Sequence, residues 1–156
     1  MSDETSTAAD SYFESVEVGE TAETEARTIT EADVVNFAGV SGDFNHLHMD
    51  AERMAESQFG ERIAHGTLVF SIATGLLWQS RSERERESLV AFYGVDNLRF
   101  VGPVTFGDTI HVETEVVEKR EKPDHPVAGG VLHTEAEIKK QTNAPVITCE
   151  FLSLMQ

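Results

Sequence analysis

The sequence predicts an α+β domain, with helices early in the chain and antiparallel strands late. Three observations carry that prediction. The segment from Thr67 to Trp78 is apolar or small on every side, the pattern of a helix buried within a domain. From Thr109 to Val117, the residues Ile110, Val112, Thr114 and Val116 alternate with His111, Glu113, Glu115 and Val117, the period of a strand with one covered face. Helices first and strands afterwards means a sheet wrapped on one buried helix, not alternating βαβ units.

Taken in order, the elements begin with Ala22 to Ile29, which alternates loosely, carries Thr and predicts a first strand. Thr30 is a helix N-cap with Asp33 three residues on, so a helix is expected from Glu31 to about Val40. It should bury Val34, Val35 and Phe37 or Ala38. Gly39 weakens its end, and Ser41-Gly42-Asp43 reads as a loop. A short helix starts near Asp50, where Ala51 to Ala55 are good helix formers. The buried helix follows His65-Gly66. Gln79 to Glu87 then reads as an exposed, charge-dense connection. Leu89–Val95 and Leu98–Phe100 are strands leading to a turn at Gly102-Pro103. Beyond Thr109–Val117, a turn at Lys122-Pro123-Asp124 introduces Val127–Lys140, and Asn143-Ala144-Pro145 joins this to Val146–Leu154 as a hairpin.

The length of 156 residues suits one domain, expected over residues 12–156, and 40% hydrophobic content fits a folded globular chain. Met1 to Ser11, acidic and rich in small residues, reads as a disordered lead-in without the basic start or apolar centre of a secretory signal. No apolar run reaches the ~18 residues that span a membrane. Cys149 is the single cysteine, so no intrachain disulfide forms and no multi-cysteine zinc site exists, as suits a cytoplasmic protein. Its apolar flanks mark a packed strand residue. The net charge of −16 makes nucleic acid and anionic membrane poor partners.

Asp43 to His48 concentrates a carboxylate, a carboxamide and two imidazoles. Asp and His are the usual proton-transfer pair near neutral pH. Asn45 can bond the backbone of the loop or orient its neighbours. The same letters also read as a plain turn at Gly42-Asp43, with His48 as a satisfied, partly buried side chain. Gly66 opens the buried helix, where free N–H groups and the positive dipole end gather, and its missing side chain admits a ligand carbonyl. Such a site stabilises negative charge developing on an oxygen. A tight turn needing glycine is the simpler alternative. His46-x-His48-x-Asp50 matches the start of a metallo-hydrolase metal motif, but Ala51 stands where a further His is usual, and no metal is expected.

The stretch Phe37-Ala38-Gly39-Val40-Ser41-Gly42-Asp43-Phe44-Asn45-His46-Leu47-His48-Met49-Asp50 closely resembles the signature of the MaoC-like dehydratases, particularly the R-specific enoyl-CoA hydratases. His65-Gly66 with its small and apolar helix resembles that family's central helix. Phe100-Val101-Gly102-Pro103-Val104 and Gly107-Asp108-Thr109-Ile110 resemble its strand-turn-strand segment. The resemblance covers roughly Tyr12 to the C-terminus. It implies a hot-dog fold and a homodimer or higher homo-oligomer, with an acyl-CoA tunnel at or near the subunit interface. It implies that Asp43 and His48 hold the reacting water and that the Gly66 N–H bonds the thioester oxygen. Asn45, His65 and Thr74 are placed by it on the substrate side. One departure is His46, where many relatives carry Pro, which would stiffen the loop by fixing φ.

The activity so implied is syn addition of water to a trans-2-enoyl-CoA, giving an R-3-hydroxyacyl-CoA, with Asp43 as base and His48 as acid towards C2. No cofactor is called for, since CoA is the handle on the substrate. Routes such as polyester precursor supply or fatty-acid breakdown would use it. A hot-dog thioesterase and a non-catalytic acyl-CoA-binding module share the fold class and stand as alternatives. The dispersed acidity also predicts adaptation to a salt-rich cytoplasm, where screening relieves self-repulsion. Melting temperature measured across a salt series should therefore rise with salt; greatest stability at low salt would refute that expectation.

Overall fold

The computed structural model describes residues 10–156. Its elements are α1 (Tyr12–Ser15), β1 (Thr21–Glu23), β2 (Arg27–Thr28), α2 (Glu31–Ser41), α3 (His46–Met49), α4 (Ala51–Ala55), α5 (Gly66–Ser80), α6 (Glu83–Ser88), β3 (Leu89–Phe100), β4 (Thr109–Glu121), β5 (Gly130–Lys140) and β6 (Pro145–Met155). The four long strands pair antiparallel in the order β4-β5-β6-β3, with β1 and β2 both laid on the free side of β4. The sheet curls on α5, the hot-dog layout.

The core is built where two periodicities meet. Leu68, Val69, Ile72, Ala73 and Leu76 form the buried stripe of α5. The alternating residues Ile110 and Val112 of β4, Ala136 and Ile138 of β5, and Ile147, Cys149 and Phe151 of β6 face it. Cys149 is packed there, and burial pushes its thiol up to about 11, so it is no nucleophile at neutral pH.

Several boundaries differ from the sequence expectation, each for a local reason. The first strand is split. Buried Thr24 sits between β1 and β2, and its hydroxyl accepts the Val112 N–H in place of a regular ladder bond. Helix α2 runs on to Ser41 and ends in Gly42, whose φ of +78° is the left-handed cap that glycine takes readily. Val34 and Ala38, four residues apart, form its buried stripe, Phe37 packs at its margin, and Val35 is 50% exposed. Helix α5 is not covered all round, since Thr67, Ser71 and Trp78 remain exposed. The charged connection after it is itself helical, because Ser82 and Glu85 close a capping box at the start of α6. The two strands expected before Gly102 form the single strand β3, with a register shift between Asp96 and Arg99 at which Asn97 takes φ +53°.

Residues 1–9, most of the lead-in expected to be disordered, lie outside the described residues. Ser11 caps α1, whose Phe13 packs with Val16, Leu132 and Met155. The Phe13 N–H donates to the carbonyl of Gln156 at 2.8 Å, which brings the two ends of the described chain together. A Cβ on Gly130 would overlap both the Arg120 carbonyl oxygen and the Phe13 ring. Gly130→Ala should therefore destabilise by roughly 1–3 kcal/mol, the usual cost of overpacking, as read from a denaturant midpoint.

Candidate active site

The site begins where α2 stops. After Gly42 the chain reverses, and the Asp43 N–H donates to Ser41 Oγ at 3.1 Å. Asp43 Oδ1 accepts from the Asn45 N–H at 3.2 Å and from Asn45 Nδ2 at 2.8 Å. Asn45 Oδ1 in turn accepts from the Leu47 N–H at 2.8 Å and so caps α3. Both ends of the Asn45 amide are thus used inside the loop, which makes it a positioning residue. The loop expected at Ser41-Gly42-Asp43 lies instead at residues 42–45, because Ser41 still belongs to α2 and His46 to Met49 form a helical turn.

That turn delivers His48 into the interior at 5% exposure. His48 Nδ1 lies 2.7 Å from the carbonyl oxygen of Ile63. A carbonyl only accepts, so Nδ1 carries the proton and Nε2 of the neutral ring offers its lone pair. Burial pushes the His48 pKa below the ordinary histidine value, with the bond to Ile63 acting in the opposite direction. Asp43 Oδ2 stands 3.9 Å from His48 Nε2, too far for a direct hydrogen bond and suited to a water that touches both. The Asp43 carboxyl is held below its usual range, chiefly by the Asn45 backbone N–H.

Ile63 is itself clamped. Its N–H donates to the Leu47 carbonyl at 3.0 Å, and the next N–H, from Ala64, donates to Val104 at 2.7 Å. The partner segment is anchored by buried Asp108, which takes bonds from the Thr105 N–H, Lys140 and Gln141. This places His65, the N-cap residue of α5, directly beneath His48. The two imidazoles stack with centroids 3.6 Å apart, and His65 Nε2 donates to the Asp43 carbonyl at 2.9 Å. His65 makes no side-chain cap bond, and its buried Nδ1 has no hydrogen-bond partner among the described residues. Gly66 follows at the first helical position, where N–H groups have no intrahelical acceptor. A Cβ on Gly66 would lie 2.6 Å from the Phe100 ring. Asp43, His48, His65, Gly66, Thr67 and Phe100 share one cavity of about 340 Å³.

Thr74 is not in that cavity. It lies two turns further along α5, donates to the Ser71 carbonyl at 2.6 Å, and lines a second cavity. Asp43, His48 and His65 do offer three ligand atoms within 4.8 Å of one another. Two nearly parallel stacked rings, however, cannot aim their in-plane lone pairs at one ion at the ~2.0–2.1 Å of a zinc–histidine bond. The Ile63 carbonyl and the Phe100 ring are the parts that sequence reasoning missed. A main-chain carbonyl has no letter of its own, and Phe100 stood only within a segment of family likeness.

Residues 13–137 match the family described as the MaoC like domain. The chain is 45% identical over 111 residues to protein MaoC of Klebsiella aerogenes, covering 71% of this chain and 32% of that one. It thus spans about a third of the Klebsiella protein's length. It is 37% identical over 115 residues to the (R)-specific enoyl-CoA hydratase of Aeromonas caviae, covering 74% and 80% of the two chains. Among solved structures it resembles an Archaeoglobus protein described as a monoamine oxidase regulatory protein, with TM-score 0.84, 39% identity, and coverage of 92% and 93%. A Mycobacterium tuberculosis protein with a double hot-dog fold shares the fold at TM-score 0.78 and 20% identity, over 92% of this chain and 43% of that one. The fold shared with these structures is the hot-dog fold. The chain belongs to the MaoC-like dehydratase family.

The structure shows why position 46, where the family resemblance implies proline, also accepts histidine. His46 is the first residue of α3, where a proline needs no N–H, and Asn45 before it is extended at φ −64° and ψ 161°, as a residue before proline prefers. The loop is ordered by Asn45 and does not depend on residue 46. His46→Pro should keep activity and raise stability by roughly 0.4–1 kcal/mol, measurable as a shift in unfolding midpoint.

Proposed function

We propose that the protein is an R-specific enoyl-CoA hydratase that adds water to trans-2-enoyl-CoA. The observation that carries this reading is the orientation of His48: with Nδ1 committed to Ile63, its Nε2 lone pair faces the Asp43 carboxylate beside the open N-terminus of α5. One water held between Nε2 and Asp43 Oδ2 attacks C3. The water's proton passes to Nε2, and the π electrons move onto the thioester oxygen, where the Gly66 N–H and the helix dipole hold the charge. The imidazolium then returns that proton to C2 on the same face, and the thioester carbonyl re-forms. Asp43 keeps its charge throughout, orienting the water and stabilising the imidazolium. This shifts the base from Asp43, the sequence-based expectation, to His48, because both groups are biased towards their unprotonated forms at rest. The balance closes with water alone, and CoA remains the substrate's handle.

A homodimer fits this reading. The outer edge of β3 has no partner strand among the described residues and carries exposed Phe92 and Tyr93, the kind of edge a second copy covers. No described helix is long and apolar enough to cross a membrane.

Hydration of crotonyl-CoA, followed by loss of enoyl absorbance, tests the proposal. Asp43→Asn and His48→Ala should each lower kcat/KM by at least ~10²-fold, with an R-3-hydroxy product from the parent protein. Undiminished turnover in both variants refutes the assignment, and free-thiol release from saturated acyl-CoA would indicate a thioesterase. Binding of acyl-CoA without turnover would indicate a binding module. Because neutral His48 is the active form and its pKa is depressed, kcat/KM should hold as pH falls to about 6.5 and decline only below it. An acid limb centred above 6.5 contradicts that form of the mechanism.

A further inference from the structure

His65 is 2% exposed, and the mechanism above gives it no part. The family likeness sets it on the substrate side, yet neither of its ring nitrogens is open to a ligand. Nε2 is committed to the Asp43 carbonyl, and Nδ1 is buried without a partner among the described residues. The ring is held by that one hydrogen bond and by two aromatic contacts. His48 stacks on it with centroids 3.6 Å apart and planes 26° apart. The Phe37 ring of α2 meets it edge to face, at 4.9 Å and 63°.

These contacts close a circuit around the start of the catalytic loop. The Ser41 hydroxyl donates to the Phe37 carbonyl at 2.8 Å and accepts the Asp43 N–H at 3.1 Å. The Asp43 carbonyl accepts from His65 Nε2, and the His65 ring returns to Phe37. Asp43 is thereby pinned on both sides of its Cα. Asn45 occupies Oδ1 of its carboxylate and leaves Oδ2 at 3.9 Å from His48 Nε2. His48 is fixed in its own plane by the Ile63 carbonyl and across its face by His65. One side chain therefore bears on both members of the catalytic pair, and a displacement of ~1 Å in either can cost ~10²-fold in rate. We infer that His65 is a positioning residue that sets the Asp43–His48 gap through two separable parts, its N–H for the Asp43 main chain and its ring face for His48. The inference rests on the hydratase reading and adds to it a residue that acts through the pair rather than on the substrate.

Two substitutions separate the parts. His65→Gln keeps an N–H donor at the reach of Nε2 and removes the ring. His65→Phe keeps the ring and removes the donor. With crotonyl-CoA, kcat should fall by about tenfold or more in each, with KM within about threefold of the parent, since geometry and not binding is lost. The acid limb of kcat/KM carries the signature of the stack. The titratable groups around His48 are His65 from α5, Asp43 from the loop and His46 from its own helix, and the His65 ring covers one face. Opening that face in His65→Gln should move the limb up towards the ordinary histidine value of about 6.5, whereas His65→Phe, which keeps it covered, should move the limb less. The same order should appear without substrate in the carbon-bound proton resonances of the His48 ring, followed across pH by NMR. Unchanged kcat in both variants, a loss confined to KM, or an equal movement of the limb in both overturns the inference. If the parent hydrates no enoyl-CoA and the His48 resonances still shift in this order, the hydratase reading fails while the positioning role stands.

Discussion

One hydrogen bond, from His48 Nδ1 to the carbonyl of Ile63, decides the chemistry available at this site. It selects the tautomer, and with it the nitrogen that faces Asp43. The rest of the local structure serves to hold that carbonyl still. Ile63 is bonded to Leu47 on one side, and its neighbour Ala64 is bonded to Val104 on the other. Val104 belongs to a turn whose buried anchor is Asp108. Burial alone would raise the Asp108 carboxyl, but hydrogen bonds from Gln141, the Thr105 N–H and Lys140 keep it below its usual range and therefore charged. A carboxylate that does not line the cavity of Asp43 and His48 thereby bears on the proton of a distant imidazole.

His65 links the two halves of the site. Its Nε2 bond fixes the main chain of Asp43, its ring supports the face of His48, and its own backbone starts α5. The carboxylate, the imidazole and the first free N–H of the helix are set relative to one another by a single residue. Preorganisation of this kind matters because donors aimed in advance at a developing charge do not have to rearrange during the reaction. The stack also adds to the lowering of the His48 pKa, since positive charge on a neighbouring ring with its centroid 3.6 Å away would repel the imidazolium.

Much of the fold was legible because it follows from period. The alternation around Val112 and the apolar run after Gly66 required a strand and a helix whatever their partners. The caps at Thr30 and the hairpin turn at Asn143, with φ +67°, were written in residue type. Less legible were features that depend on a partner far away in sequence. Thr24 interrupts the first strand only because Val112 lies opposite it, and the exposed face of α5 cannot be told from its covered face in a segment apolar on both. The candidate site divided in the same way. Asp43, His48 and Gly66 stood out by chemistry and by family likeness, whereas for Asn45 the sequence offered both a loop-fixing and a substrate-side role, and the bonds at both ends of its amide show the loop-fixing one.

The meeting of Phe13 and Gln156 has a consequence of a different kind. The covalent order of the elements is not what holds them in place, since the two ends of the described fold already touch through a backbone hydrogen bond. A short linker joining them, with new termini opened in the turn around Asn143, would leave every strand neighbour and the whole loop from Gly42 to Asn45 unchanged. The sheet would then begin with β6 and finish with β5, and the architecture would be the same object traced from another starting point.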